Sequence, residues 1–296
     1  MIKTIPYLFA VVLLFTGCKT RTNELDVPGY ELGQGKVKVS DEAMNDIIEN
    51  LSSPVEMAAL IKDLGVPYSN RYLTSLDEID NYNTAFRMAF NLGMLGADLG
   101  YLNVYNKTGN AVSYLSEINR LSDGLKVSQF FDFSTIKRLA TSNSNLDSLM
   151  FLSVRSFNQM DEHLRETDRS NLSVLMVAGI WIEGMYLATQ VAEEKPDKEL
   201  AEYIGEQKLI LNDLLLILKN YERDEQFKKL ISEFETIRKA FRDVKITYVM
   251  GEPKAIEKDG MFTVVPQESS VITISPETVR QIEAATSKVR NRQLTM

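Results

Sequence analysis

The sequence predicts a mainly α-helical protein: an antiparallel helical bundle or short array of helical hairpins, with a small C-terminal β meander plus helix. Three observations lead there. Residues 82–105 and 172–192 are apolar on nearly every face, which suits helices sheathed by other helices. Most of the chain between them and on to residue 243 carries apolar residues at three-to-four spacing. At Val244 the period changes from 3.6 to 2, which is the mark of strands.

Taken in order, Ser40 opens a helix with Met44, Ile47, Ile48 and Leu51 on one face, and Val39 and Met44 placed as a hydrophobic staple. Ser53-Pro54-Val55-Glu56 is a capping box with Pro at the first helical position, and Gly65 ends that short helix as a C′ residue. A loop over 66–74 leads to a second capping box, Ser75-Leu76-Asp77-Glu78. From there one helix is expected to run unbroken to Tyr105, about 45 Å at 1.5 Å per residue. Residues 106–110 form a turn, and Val112, Leu115, Ile118, Leu121 and Leu125 make the returning helix of a hairpin.

A connector over 127–133, a short helix over 134–141 and a polar break at 141–145 follow. An amphipathic helix begins at Leu146 and carries Leu149, Met150, Val154, Phe157, Met160 and Leu164. After the second central stretch, helices are expected over 197–219 and 223–243. Lys245 to Met250, Met261 to Val265 and Val271 to Ile274 are strand-like, and Asp259-Gly260 is a hairpin turn signal. Ser275-Pro276 caps a last helix to about Arg292. An offset of 85 residues lines up Asp98-Leu99-Gly100-Tyr101-Leu102 with Glu183-Gly184-Met185-Tyr186-Leu187, suggesting two related helical units side by side.

The first 18 residues, MIKTIPYLFAVVLLFTGC, are a short basic start, an apolar run and a cysteine. The run from Tyr7 to Phe15 is too short to span a bilayer and reads as a signal peptide. Phe15-Thr16-Gly17-Cys18 resembles the lipobox of bacterial lipoproteins, departing from it at Phe15, where Leu is usual. The resemblance implies cleavage before Cys18 and lipidation of that residue with acyl chains such as palmitate. Cys18 is the one cysteine of the chain, so no internal disulfide is available. Lys19-Thr20 lacks an acidic residue of the kind that resembles an inner-membrane retention signal, which points to the outer membrane, facing the periplasm. The domain plan is therefore a signal peptide (1–17), a lipidated flexible tether (18–39), a helical domain (40–243, with units at about 76–127 and 146–220) and a β-containing tail with a terminal helix (244–296).

From Cys18 onward the chain holds 32 basic and 41 acidic residues, a net charge of −9. An acidic domain with no basic tract argues against nucleic acid and against electrostatic docking on anionic lipid. The stretch from Leu99 through Tyr105 and Gly109 to Leu121 is similar to a tetratricopeptide-like helix pair. The likeness covers about 25 residues and implies a helical array that binds protein segments, with no particular residues to carry over.

Asp98 and Glu183 are the sharpest chemical candidates. An acid in a helix apolar all round is costly to ionise without a partner. Facing each other, the two acids could act as an acid/base pair or ligate a divalent cation, with Tyr101 and Tyr186 one turn on as further ligand-binding candidates. The structural alternative is that each acid accepts bonds from a Tyr, an Asn or Arg87 and fixes helix register. Gly96 and Gly100 have the small-xxx-small spacing that admits a neighbouring helix. Insertion of 88–105 in a membrane would put Asn91, Asp98 and Asn103 in lipid, which is unfavourable.

His163, the one histidine, forms an HxxE spacing with Glu166, but di-iron and zinc helical sites need a second His. No nucleophile elbow, Walker loop or Rossmann fingerprint is present in the sequence. Trp181 sits between Ile180 and Ile182 and reads as core. No catalytic residue, cofactor or metal is therefore expected. The expected role is a membrane-anchored helical module that binds an envelope protein. The alternative is a ligand- or metal-dependent envelope enzyme or binding protein with a carboxylate pocket between 82–105 and 172–192.

Overall fold

The computed structural model describes residues 54–77, 82–141, 146–258 and 261–295. Cys18, the tether, the helix expected from Ser40, Ser53 of the first capping box, the polar break at 142–145 and the Asp259-Gly260 turn lie outside the described residues. Among those described there are nine helices: α1 (Pro54–Asp63), α2 (Ala85–Val104), α3 (Thr108–Gly124), α4 (Phe133–Thr141), α5 (Leu146–Glu166), α6 (Ser170–Glu194), α7 (Lys198–Leu218), α8 (Glu225–Ala240) and α9 (Pro276–Thr295). Two strands, β1 (Lys245–Lys258) and β2 (Met261–Thr273), pair as one two-stranded antiparallel sheet. The mainly α class with a small β element is thus the observed one. The three strand-like segments resolve into two strands, because Val271 to Thr273 is the end of β2 rather than a third strand.

Helix ends follow local chemistry. α1 stops in a Schellman turn: Gly65 takes φ of 71°, its N–H donates to Lys62 O at 2.8 Å, and Val66 N–H donates to Ile61 O at 3.4 Å. Asn106, Lys126 and Asp168 adopt the same left-handed conformation behind α2, α3 and α5. There the closing bonds run from Lys107 N to Leu102 O, from Val127 N to Ser122 O, and from Arg169 N to Leu164 O. Asp197 caps α7 through Leu200 N–H, and Asp224 caps α8 through the N–H groups of Gln226 and Phe227. Ser275 Oγ accepts from Thr278 N–H at 3.0 Å and opens α9 as expected.

The expected unbroken helix from Ser75 is not formed. Ser75 Oγ caps a local turn through Asp77 N–H, and α2 starts afresh at Thr84, whose Oγ1 accepts from Arg87 N–H at 3.3 Å. The reason is upstream. Thr74 is tied to distant residues through its N–H, its carbonyl and its hydroxyl, which fixes the course of the chain into the 75–77 turn.

Two compact units divide the described residues. The first is the helical unit, residues 54–246 and 272–295; the second contains 247–271, the greater part of the β1–β2 ribbon. Within the helical unit α2 and α6 are central. Residues 89–95 and 97–104 of α2 are buried without interruption, as are 172–179 of α6. α6 is long and apolar enough to cross a membrane by length and composition alone, yet 83% of its apolar window is buried inside the protein. It is a core helix sheathed by α1, α2, α5, α7 and α9.

The α2–α6 seam is a backbone contact. A Cβ on Gly93 would lie 2.0 Å from Met176 O, and one on Gly179 would lie 1.9 Å from Phe90 O. The close approach expected at Gly96 and Gly100 is therefore made one turn earlier, at Gly93. Gly96 instead faces the ring of Phe157 on α5, where a Cβ would come within 2.5 Å.

Candidate functional site

Asp98 and Glu183 are both fully buried, on the two central helices. What lies between them is a third residue, Arg290 of α9. Its Nε donates to Glu183 Oε2 at 2.9 Å and its Nη2 to Glu183 Oε1 at 2.7 Å, a bidentate pair. The same Nη2 donates to Thr74 Oγ1 at 3.0 Å. Thr74 N–H in turn donates to Asp98 Oδ2 at 3.0 Å, and Thr74 O accepts from the Tyr114 hydroxyl. Thr74 thus joins α2, α3 and α9 at one point. Tyr186 lies flat beneath the guanidinium, 4.3 Å from Arg290 Cζ to the ring centroid.

The electrostatics follow from burial. Desolvation first, and the nearby Glu183 second, push the Asp98 carboxyl well above the usual carboxylate range, against the opposing effects of Arg290 and Thr74. Burial therefore favours the neutral form of Asp98. Burial works against charge on Arg290 too, but Glu183 outweighs it, and its pKa is raised. Glu183 and Arg290 thus form a buried bidentate pair beside a carboxyl whose ionisation burial disfavours. Among the described residues no three His, Cys, Asp or Glu side chains converge as a metal site would require.

The other candidates fall elsewhere. The Tyr101 hydroxyl accepts from Ser69 N–H at 3.1 Å, within an aromatic group whose centroids lie 5.7 Å away at Tyr68 and 4.8 Å away at Tyr105. That group pins the 66–72 loop; the Tyr105 hydroxyl, its pKa pushed up to about 12 by burial, donates to Val66 O at 2.7 Å. His163 lies against Phe130, ring centroids 4.7 Å apart and tilted by 44°, and is half-buried, while Glu166 is exposed. Trp181 is buried, donates to Gln207 Oε1 at 3.2 Å and lies 5.7 Å from the ring of Phe234. In place of the Tyr, Asn or Arg87 expected to satisfy the two acids, Thr74 bonds Asp98 and Arg290 bonds Glu183. A surface groove of about 530 Å³ lies apart from this cluster, bordered by Asp168, Asn171, Asn220, Arg223 and Asp224.

Sequence reasoning missed Arg290, Thr74 and Tyr114. Arg290 stands 107 residues from Glu183, inside a helix that also carries Glu277, Arg280, Glu283, Lys288 and Arg292. A further buried acid, Glu233 of α8, was missed in the same way: it accepts from Gln293 Nε2 and pairs with Arg292 at 2.9 Å. The available signal was stoichiometric. A buried acid requires a buried donor, and the two central helices supply no cation beside Glu183.

The raised Asp98 pKa gives a pH prediction. In the unfolded chain Asp ionises near pH 3.9, whereas in the folded chain it ionises only at a higher pH. The stability that the neutral form confers is whole below about pH 3.9 and is lost as pH rises to the folded value. Asp98→Asn mimics the protonated carboxyl and carries no proton to lose. Its stability relative to wild type should therefore rise with pH across that window, by about 1.4 kcal/mol per pH unit. Urea unfolding of both proteins from pH 4 to 8 measures this, and a difference that stays flat would mean that Asp98 is ionised in the fold.

Comparison of the chain with protein-family models, with curated proteins and with solved structures finds no match.

Proposed function

We propose that this chain is a lipid-anchored helical module of the bacterial envelope that binds a protein partner there, held by Cys18 on the outer membrane and facing the periplasm. The observation that carries the reading is in the sequence: one cysteine in the whole chain, placed directly behind an apolar run too short to span a bilayer. The helical fold is consistent with it, since stacked helices offer protein-binding surfaces. The interior supports a structural rather than chemical role for the two acids, because Arg290 and Thr74 already engage them.

Two or more acyl chains would make attachment permanent. Wild-type protein is therefore expected in the outer-membrane fraction, labelled by radioactive palmitate. Cys18→Ser is expected to carry no label and to leave that fraction. Unlabelled wild-type protein in the soluble fraction would overturn the reading.

One observation favours the alternative of a carboxylate pocket. Asp98 Oδ1 is buried and has no hydrogen-bond partner among the described residues. An open carboxyl oxygen beside a second acid is where a ligand hydroxyl or a small cation would bind. That reading requires cation- or ligand-dependent melting that Asp98→Asn abolishes.

A further inference from the structure

The seats of the helices in the bundle are of two kinds. α2 meets α6 through bare backbone and apolar side chains. α9 is different: of its buried residues, Thr278, Thr286, Arg290 and Gln293 are polar, against Val279, Ile282 and Val289. Besides the apolar contacts of Val279, Ile282 and Val289, it is attached to α6 and α8 by hydrogen bonds and ion pairs. They comprise Arg290 on Glu183, Arg292 and Gln293 on Glu233, and Gln190 on Glu283 and Ser287 at 2.7 and 3.2 Å. Polar faces of this kind characterise interfaces that form and separate, whereas dry apolar seams characterise cores.

The connection to α9 is equally unusual. α8 and α9 are joined through strands of 14 and 13 residues that, among the described residues, pair with each other as a two-stranded ribbon. An isolated two-stranded hairpin is marginally stable in water. At 3.3 Å per residue the opened ribbon reaches about 90 Å. Tyr248, Val249 and Val271 on the ribbon are 44%, 43% and 49% exposed, leaving apolar surface for another strand to cover.

We infer that α9 is an exchangeable helix, and that the face of α6 and α8 beneath it is an interface for the α9 of a second copy of this chain. Every α9 contact is the same whether the helix comes from its own chain or from another, so the seat is neutral to exchange. The free-energy difference is confined to the ribbon. Two opened ribbons recover their ladder by pairing β1 of one copy with β2 of the other. The inference does not depend on the anchor or on an envelope partner.

The test uses two full-length chains with different tags, co-expressed, both carrying Cys18→Ser. One bears Gln190→Cys and the other Ser287→Cys, at side chains that face each other across the α6–α9 seat. Neither chain can close on itself, so mild oxidation links them only if α9 of one copy sits on α6 of the other. The expected result is a disulfide-linked heterodimer carrying both tags, dissolved by reductant, in a fraction that rises with protein concentration. The overturning result is two unlinked monomers, while a chain carrying both Gln190→Cys and Ser287→Cys closes internally. Failure of that doubly substituted chain to close would overturn the seat itself.

Discussion

Gly179→Ala is expected to lower stability by about 3 kcal/mol or more, or to prevent folding. The added methyl would sit 1.9 Å from Phe90 O, 3.0 Å from Phe90 C and 3.1 Å from Met94 N. All three are backbone atoms of a buried helix, so no side chain can swing aside. Relief requires parting α2 from α6, which opens the most extensively packed pair of helices in the unit. A domain whose whole stability is about 5–15 kcal/mol cannot absorb much of that.

Gly184→Ala, five residues along the same helix, provides the contrast. The nearest atom to a Cβ there is Met57 Cε at 3.9 Å, an ordinary contact. The substitution should raise stability by about 0.5–1 kcal/mol, because alanine holds a helix better than glycine. Urea unfolding followed by circular dichroism reads both. Equal effects at 179 and 184 would show that the seam is not formed as described.

Arg290→Met is expected to cost about 3–5 kcal/mol, the usual consequence of leaving one member of a buried ion pair behind. Arg290 is 5% exposed and Glu183 fully buried, so solvent cannot take over the role of the guanidinium. The loss should be largely recovered in Glu183→Leu with Arg290→Met, where no charge is stranded. Buried pairs replaced by apolar residues of similar volume are often neutral or better. A double variant as damaged as the single one would mean that Arg290 acts mainly through Thr74 rather than through Glu183.

Legibility in the sequence tracked the range of the interaction. Helices set by local spacing, such as α3 with Leu115, Ile118 and Leu121, were readable from a window of a dozen residues. So were caps made by near neighbours, at Ser275, Asp197 and Gly65. The break before α2 was not readable, since Ser75-Leu76-Asp77-Glu78 is a sound capping box in isolation. It is overruled by Asp98, Tyr114 and Arg290, which fix Thr74 from 24, 40 and 216 residues away.

The same rule divides the candidate site. That Asp98 and Glu183 would be buried followed from their apolar neighbours, but their partners followed from nothing local. The internal repeat picked out the right pair of helices. The small-xxx-small spacing placed the close approach at Gly96 and Gly100, because spacing alone cannot say which small residue faces the neighbour; Gly93 does.

The pairing of Glu183 with Arg290 sets a timetable for the nascent chain. At about 5–20 residues per second, the 107 residues between them take about 5 to 20 s to synthesise. Until then α6 has an acid and no cation, and Thr74 lacks its third tether. The interior around Glu183 and Glu233 can close only once an α9 is in place, because that helix alone brings Arg290 to one acid and Arg292 and Gln293 to the other.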